Sequence, residues 1–127
     1  MAVAVGVTSL ACSSGAWAQS APASEAALVA KGKRLFMMCS ACHDISAIGA
    51  ARVGPHLAGI VGRQAGSVAG YSYSPALAAK PFDWDEAKLD AWLLKPSAVV
   101  PTTKMAYMGM PNAEDRKAMV AFLGSLK

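Results

Sequence analysis

The sequence predicts an all-α domain, and two observations carry that prediction. No segment alternates apolar and polar residues at a period of two for the length of a strand. Four segments instead carry apolar residues at helical spacing, and each follows a residue that favours the helix N-cap: Ser24, Ser74, Asp83 and Asn112. The chain has 127 residues, which suits one domain. We therefore expect about four to five helices arranged around a single centre.

The first predicted helix follows Ser24 and carries its apolar residues on one side. Those residues are Leu28, Leu35 and Phe36. Gly32 lies on the same side, where a glycine costs about 1 kcal/mol relative to alanine. That cost is tolerable where a second helix crosses closely, so the sequence predicts a helix crossing at Gly32.

Three further helices are predicted in the second half of the chain. The second follows Ser74 and stops before Pro81. The third follows Asp83 as its capping residue and ends at Pro96. The last follows Asn112. Their apolar faces contain Leu89, Trp92 and Leu93 in the third helix and Met119, Phe122, Leu123 and Leu126 in the last.

Between the first two predicted helices the chain is irregular and rich in glycine. The glycines are Gly49, Gly54, Gly59, Gly62, Gly66 and Gly70. A loop of this length is uncommon in a small domain unless it serves a function, such as wrapping a bound group. Tyr71 and Tyr73 follow the glycines, and either hydroxyl is a candidate hydrogen-bond donor to that group.

The motif with the most specific chemistry is Cys39-Ser40-Ala41-Cys42-His43. It reads Cys-x-x-Cys-His, which is typical of covalent attachment of a c-type haem. The two thiols add across the haem vinyl groups, and the adjacent imidazole becomes an axial ligand of the iron. Two residues between the cysteines, on one helical turn, place both sulfur atoms along one edge of the porphyrin.

Two other readings of the cysteine pair are weaker. A thioredoxin-like redox pair belongs in a βαβ context, and no convincing strand lies nearby. A zinc site needs two more ligands, and the only other cysteine and histidine are Cys12 and His56. The sequence therefore favours haem attachment.

The first eighteen residues contain no charged side chain and end in Ala16-Trp17-Ala18. This pattern predicts a secretory signal at residues 1–18, then a linker at 19–24 and a monohaem domain at 25–127. The stretch is too short for a membrane-spanning helix, which needs about twenty apolar residues. The stretch lacks the usual Lys or Arg, so a start that is assigned too far downstream, or a longer leader, stays open. An uncleaved anchor and lipid attachment at Cys12 are further alternatives. We expect an exported, soluble protein of the periplasm.

All twelve basic and all eight acidic residues lie after residue 18, so the net charge of +4 belongs to the predicted domain. A mild basic excess favours acidic protein partners or peripheral contact with an anionic membrane surface. No basic run is interleaved with aromatic residues, so we predict no nucleic-acid partner.

With these residues in view, the chain resembles the class I cytochromes c from Gly32 to Leu123. Around the haem motif, the resemblance rests on Gly32 with Phe36, Gly54-Pro55-x-Leu57, Gly62-Arg63, and Tyr73 with Trp84 eleven residues later. In the last third, it rests on Leu93, Pro96, Lys104-Met105 nine residues after that proline, and Phe122-Leu123. The resemblance implies the class I cytochrome c fold, with four to five helices wrapped around one covalent haem.

The resemblance also implies roles for individual residues. One haem c is attached through Cys39 and Cys42, and its iron is ligated by His43 and Met105. Pro55 offers its backbone carbonyl to the other ring nitrogen of His43. The remaining residues implied are Arg63, Tyr73, Trp84 and Thr103 around the propionates, and Trp92 beside the Met105 sulfur.

Some positions depart from the family pattern. Thr102 stands where glycine is usual, so that turn is expected to differ. The other departures are Trp92 for tyrosine, Leu77 for asparagine and Met38 for lysine.

Other residues compete for the second axial position. Met108 and Met110 are alternative thioether ligands, although the spacing from Pro96 favours Met105. If Met105 is the ligand, we expect both to line the pocket. His56 is a weaker alternative and is predicted to be a surface histidine.

The resemblance implies a one-electron carrier and not an enzyme, because both axial positions of the iron are filled. Two alternatives stay open: a dedicated cytochrome subunit of a periplasmic dehydrogenase or reductase complex, and an open iron with peroxidase or gas-sensing activity. We expect a monomer. Its redox partner, an oxidase, reductase or dehydrogenase, is expected to present an acidic docking surface. The candidate docking residues are Lys33, Arg34, Lys88 and Lys104, with Met37 and Met38 as an apolar alternative.

Overall fold

A computed structural model describes residues 1–2, 22–48 and 52–127. Residues 3–18 of the predicted signal (1–18) and residues 19–21 of the predicted linker (19–24) therefore lie outside the described residues. The helices are α1 (Glu25–Leu35), a 3₁₀ turn (Phe36–Met38), α2 (Pro75–Ala78), α3 (Glu86–Leu94), α4 (Pro96–Val99) and α5 (Ala113–Gly124). Within these ranges there is no strand, only an isolated bridge between Gln64 and Asp83. The all-α prediction, with four to five helices, is confirmed.

The first and last helices cross at Gly32, as the sequence predicts. A Cβ built on Gly32 would overlap the carbonyl oxygen of Ala118 and lie 2.6 Å from the Cβ of Phe122. One turn later, the rings of Phe36 and Phe122 pack with their centroids 5.4 Å apart. The missing side chain thus lets α1 and α5 approach closely enough to bring both aromatic rings into one core.

Three of the four predicted N-caps are present in the structure. Ser24 Oγ accepts from the N–H of Ala27 at 3.2 Å, and Ser74 Oγ accepts from Leu77 at 3.3 Å. Asn112 Oδ1 accepts from the N–H of Asp115 at 3.0 Å. Each side chain therefore satisfies a backbone donor that the first turn of its helix leaves free.

The prediction that Asp83 caps the third helix is wrong. The cap of α3 is Asp85, whose Oδ1 accepts from the N–H of Lys88 at 2.6 Å. Asp83 lies in a stretch that pairs with the chain around Arg63: the N–H of Trp84 donates to the carbonyl of Arg63 at 2.8 Å. This pairing keeps the backbone extended through Asp83, so the helix begins two residues later than predicted.

Helix α3 ends before Pro96, and the proline then begins the short helix α4, which the sequence did not predict. Proline suits the first position of a helix because its missing N–H would have had no partner there.

None of the helices within the described residues is long and apolar enough to cross a membrane. Buried residues from α3 and α5, including Leu89, Trp92, Met119 and Leu123, form one wall of an internal cavity.

Candidate haem site

A cavity of about 270 Å³ lies between the helices and the glycine-rich loop. The site residues predicted from the sequence all line it: Cys39, Cys42, His43, Pro55, Arg63, Tyr73, Trp84, Trp92, Thr103 and Met105. Most of the other lining side chains are apolar, among them Leu57, Ile60, Leu77 and Leu89. Such a cavity fits a large planar apolar group that carries a few polar substituents.

Both cysteines lie on the attachment turn, which we define as residues 39–43. The turn continues the 3₁₀ turn: the N–H groups of Cys42 and His43 both donate to the carbonyl of Cys39, at 3.0 and 2.9 Å. The cysteines are half-buried and form no disulfide. Burial raises the pKa of Cys39, and the neighbouring Cys42 raises it further. A dithiol redox centre instead needs a thiolate of lowered pKa, so this pair is poorly suited to that chemistry.

The ring of His43 is held by a single backbone carbonyl. Nδ1 lies 2.7 Å from the carbonyl oxygen of Pro55. Because a carbonyl only accepts, the Nδ1 position carries the proton and Nε2 keeps its lone pair. Burial lowers the pKa of His43, and the charge of Arg63 also lowers it, while the bond to Pro55 acts in the opposite direction. The ring is therefore a neutral imidazole whose free nitrogen can bind a metal.

Gly54 forms a tight wall beside this imidazole. A Cβ on Gly54 would lie 2.5 Å from Cε1 of His43 and 2.7 Å from Nδ1. The N–H of Gly54 donates to the carbonyl of Cys42 at 2.8 Å, which fixes the glycine against the attachment turn. The sequence pattern contained Gly54 but did not reveal that its missing side chain is what makes room for the ring.

Arg63 and Trp84 reach the cavity from the paired segments described above. Arg63 is half-buried, and its guanidinium donates to the carbonyls of Ala58 and His56, both at 2.9 Å. Burial lowers the pKa of Arg63, whereas the nearby Tyr73 acts to raise it. The guanidinium carries five N–H donors, and these two bonds leave others for an anionic group in the cavity.

The two candidate tyrosines differ in what their hydroxyl groups do. Tyr71 Oη donates to the carbonyl of Val53 at 2.8 Å, so its proton is already used. Tyr73 Oη accepts from the N–H of Val68 at 3.1 Å, so its own proton can be donated elsewhere. Of the two, Tyr73 is the better donor to a polar group of a ligand.

The indoles of Trp84 and Trp92 form an aromatic wall of the cavity. Their centroids lie 5.2 Å apart in an edge-to-face arrangement, and both residues are buried. Phe82 packs edge-on against Trp84 at 5.0 Å and extends the wall outward. Trp84 and Trp92 thus line the cavity with buried aromatic surface.

The methionine loop, residues 100–112, supplies Thr103 and Met105. Thr103 Oγ1 accepts from the N–H of Met105 at 3.3 Å. Among the three candidate methionines, only Met105 lines the cavity. Met108 is 93% exposed and Met110 is buried in the core, so the expectation that both form the pocket wall is wrong.

At Thr102, the backbone adopts the conformation that the usual glycine would favour. Its φ angle is 67°, in the left-handed region. The chain thus places a β-branched residue in a strained conformation, and the expectation that this turn differs from that of the family stays a prediction.

A contact that the sequence did not predict closes one edge of the cavity. Tyr107 Oη donates to the sulfur of Met38 at 3.6 Å, and both residues line the cavity. The signal in the sequence that could have indicated this contact is Tyr107 itself, an aromatic residue two positions after Met105. His56 does not line this cavity, which disfavours it as an iron ligand.

The donor set fits a covalent haem. Two thiols on one turn, a neutral imidazole with a free nitrogen and a thioether surround an apolar cavity that also holds a guanidinium and a phenol. Among the described residues, no cluster of His, Cys, Asp and Glu could hold a metal ion by itself. The site therefore suits iron that is carried within a porphyrin.

Comparison with known proteins also points to a protein that binds a covalent haem. A family model described as "Cytochrome c" matches residues 29–127. Cytochrome c2 of Rhodomicrobium vannielii is 42% identical over 95 residues, covering 75% of this chain and 76% of that protein. Cytochrome c2 iso-2 of Magnetospirillum fulvum is 44% identical over 91 residues, covering 72% of this chain and 94% of that protein.

Among solved structures, cytochrome cH from Methylobacterium extorquens superposes with a TM-score of 0.70 at 38% identity. The match covers 75% of this chain and 95% of that one. The function is that of an electron carrier that works with redox partners, and not that of an enzyme. The chain belongs to the cytochrome c family, and it carries a haem c attached through its cysteine pair with histidine and methionine ligation.

Proposed function

We propose that this protein passes single electrons between redox proteins of the periplasm, with His43 and Met105 as the two iron ligands. The bond from His43 Nδ1 to the Pro55 carbonyl carries the proposal, because it leaves Nε2 free for the iron. Met105 is the second iron ligand in this proposal, since it lines the same cavity and the other two loop methionines do not.

Bound haem supplies one iron that changes between the ferrous and ferric states. The chain's own residues tune that change. A thioether is a poor donor to ferric iron, and the buried indoles of Trp84 and Trp92 disfavour the extra positive charge of the oxidised state. Both effects raise the reduction potential relative to an exposed site with two histidine ligands.

The polar residues of the cavity have a separate role in this proposal. Arg63, Tyr73 and Thr103 would hold the propionate groups, because each has a donor that its observed contacts leave available. Pro55 and Gly54 fix the orientation of the His43 ring. A ligand set held in this way does not rearrange when the electron arrives, which favours fast transfer.

The ligand assignment can be tested on oxidised protein made in a host that matures c-type cytochromes. We expect Met105→Ala to lose the weak far-red absorption band between sulfur and ferric iron, and its reduced form to bind carbon monoxide rapidly. Met108→Ala is the matched control and should keep the band, because Met108 is exposed. Retention of the band in Met105→Ala would contradict the assignment.

We also propose that the redox partners present acidic docking surfaces. Lys33 and Arg34 are exposed at the end of α1, directly before the 3₁₀ turn and the attachment turn. Lys104 is exposed at the rim of the cavity, where its ammonium lies 4.9 Å from the centre of the Tyr71 ring. Lys88 lies 4.9 Å from the centre of the Phe82 ring. These cations would attract carboxylates toward the haem edge.

Electrostatic docking makes the reaction rate depend on salt. We expect oxidation by a partner oxidase to slow several-fold as ionic strength rises from 0.01 to 0.15 M, where the Debye length falls from about 30 to about 8 Å. A rate that does not change with salt would point instead to contact through Met37 and Met38, which are 78% and 56% exposed.

Export and oligomeric state complete the proposal. Cleavage after Ala18 would release a monomer that begins at Gln19 and carries the monohaem domain of residues 25–127. The mass of the protein recovered from the periplasm tests the cleavage, and sedimentation tests the monomer. A membrane-bound protein that retains residues 1–18 would support the anchored alternative.

A further inference from the structure

Arg116 is a buried cation at an unfavourable position in α5. It is the fourth residue of the helix, close to the end where the helix dipole disfavours positive charge. The residue is nevertheless only 9% exposed. A buried guanidinium needs acceptors for its N–H groups, so its contacts indicate why it is there.

The guanidinium joins two helices to the end of the methionine loop. Nε donates to Oδ1 of Asp90 in α3 at 2.8 Å. Nη1 donates to the backbone carbonyls of Met110 and Pro111, at 3.0 and 2.9 Å. Because Met110 and Pro111 form the last part of the loop, Arg116 fixes that part to α5 and, through Asp90, to α3.

The middle of the loop is held more by side chains than by its backbone, since Lys104 donates to the carbonyl of Ser72 and Tyr107 donates to the sulfur of Met38. Lys104, Ala106 and Met108 are exposed. Within residues 104–108, the structure shows one backbone–backbone hydrogen bond, from the N–H of Tyr107 to the carbonyl of Met105. Because the backbone at Met105 has few hydrogen bonds, its position depends in part on how firmly the two ends of the loop are anchored.

We propose that Arg116, oriented by Asp90, is a positioning residue for the Met105 thioether and strengthens the bond between methionine and iron. The inference rests on the proposed role of Met105 as a ligand. Lysine could not do the same, because an ammonium is a single donor centre and cannot reach the carboxylate and both carbonyls in the geometry of a guanidinium.

The test measures imidazole binding to the oxidised holoprotein, since imidazole reaches the iron only when the methionine leaves it. We expect Arg116→Lys to bind imidazole about tenfold more tightly, which corresponds to ~1.4 kcal/mol and to the loss of one hydrogen bond to a charged group. Asp90→Asn keeps an oxygen acceptor but removes the charge, so the increase in imidazole affinity should be smaller in this variant than in Arg116→Lys.

Lys31→Gln is the matched control. Lys31 pairs with Asp115 at 2.7 Å, so it also anchors the first turn of α5, but it joins that turn to α1 and not to the loop. Its imidazole affinity should equal that of the wild type even if its free energy of unfolding falls. Tightening of equal size in Lys31→Gln would overturn the proposal, because the effect would then follow from global stability.

Wild-type imidazole affinity in Arg116→Lys would also overturn the proposal, whatever that variant does to stability. If Arg116→Lys does not fold, the test passes to Asp90→Asn, whose side chain is 46% exposed and tolerates change. An imidazole affinity equal to that of the wild type in Asp90→Asn would also overturn the proposal. Failure of the ligand assignment would look different, because Met105→Ala would then keep its far-red band.

Discussion

The attachment turn and the methionine loop supply residues to one cavity, but they are held in different ways. In the turn, the N–H groups of Cys42 and His43 bond to a carbonyl only three and four residues earlier. In the loop, the N–H of Met110 donates to the carbonyl of Leu93 in α3 at 2.7 Å, seventeen positions away. Local hydrogen bonds thus close the backbone of the attachment turn, whereas a tertiary hydrogen bond holds the far end of the methionine loop.

This difference suggests that the two regions can fail separately. A change that disturbs the loop anchors should release the methionine while the haem stays attached through the cysteines. A change beside the attachment turn should disturb the histidine and the attachment itself. Substitutions at two glycines, one in the methionine loop and one beside the attachment turn, test that separation.

The largest effect is expected from Gly109→Ala in the methionine loop. Gly109 has a φ of 114°, and a Cβ there would overlap the carbonyl oxygen of Leu94. Strain and overlap together should lower the free energy of unfolding by about 3 kcal/mol. The loop should also shift, so that the protein keeps its covalent haem but loses the far-red band. Denaturant unfolding and the absorption spectrum measure both effects.

Gly124→Ala serves as a control for Gly109→Ala. The nearest atom to its added Cβ would be a methyl group of Val61 at 3.8 Å, an ordinary contact, and Gly124 ends α5. We expect little change in stability and a normal spectrum. A Gly109→Ala protein with a normal far-red band would show that the loop does not need its contact with α3.

The next largest effect is expected from Gly54→Ala beside the attachment turn. The added Cβ would lie 2.5 Å from the imidazole of His43, which the Pro55 carbonyl prevents from moving freely. Crowding of this kind costs about 2 kcal/mol. The prediction is a reduced yield of protein with covalent haem, measured by haem staining after denaturing electrophoresis. A normal yield with only the far-red band lost would contradict the separation of the two regions.

The same contrast explains which features the sequence could predict. The caps at Ser24, Ser74 and Asn112 depend on residues within three positions, and all three are present in the structure. The cysteine pair and His43 form a motif whose spacing fixes its geometry. Interactions of this range are encoded in adjacent residues, so a single sequence contains enough information to identify them.

Some features that depend on distant segments were missed. Asp83 and Asp85 are equally good capping residues in the sequence, and the pairing of the neighbouring backbone with the segment around Arg63 decides between them. The bonds from Arg116 to Asp90 and to the loop carbonyls join residues with no sequence pattern in common. Such choices depend on tertiary packing, which overrides local propensity.

The smallest predicted effect is a gain in stability, from Thr102→Gly at the start of the methionine loop. Thr102 has a φ of 67°, which strains a β-branched residue. Glycine relieves the strain but makes the unfolded chain more flexible, so we expect a net gain of about 0.5 to 1 kcal/mol in the free energy of unfolding. Chemical denaturation measures it, and Thr102→Ala, which keeps the Cβ, should gain less.

The strain at Thr102 also bears on the iron ligand. Because the strained residue lies three positions before Met105, relieving it should stabilise the closed loop and weaken imidazole binding by about two- to fivefold. This change is opposite in sign to the one expected for Arg116→Lys, although both residues act on the same loop. If Thr102→Gly instead tightens imidazole binding, flexibility at the start of the loop outweighs the strain, and firm anchoring at both ends becomes the requirement for methionine ligation.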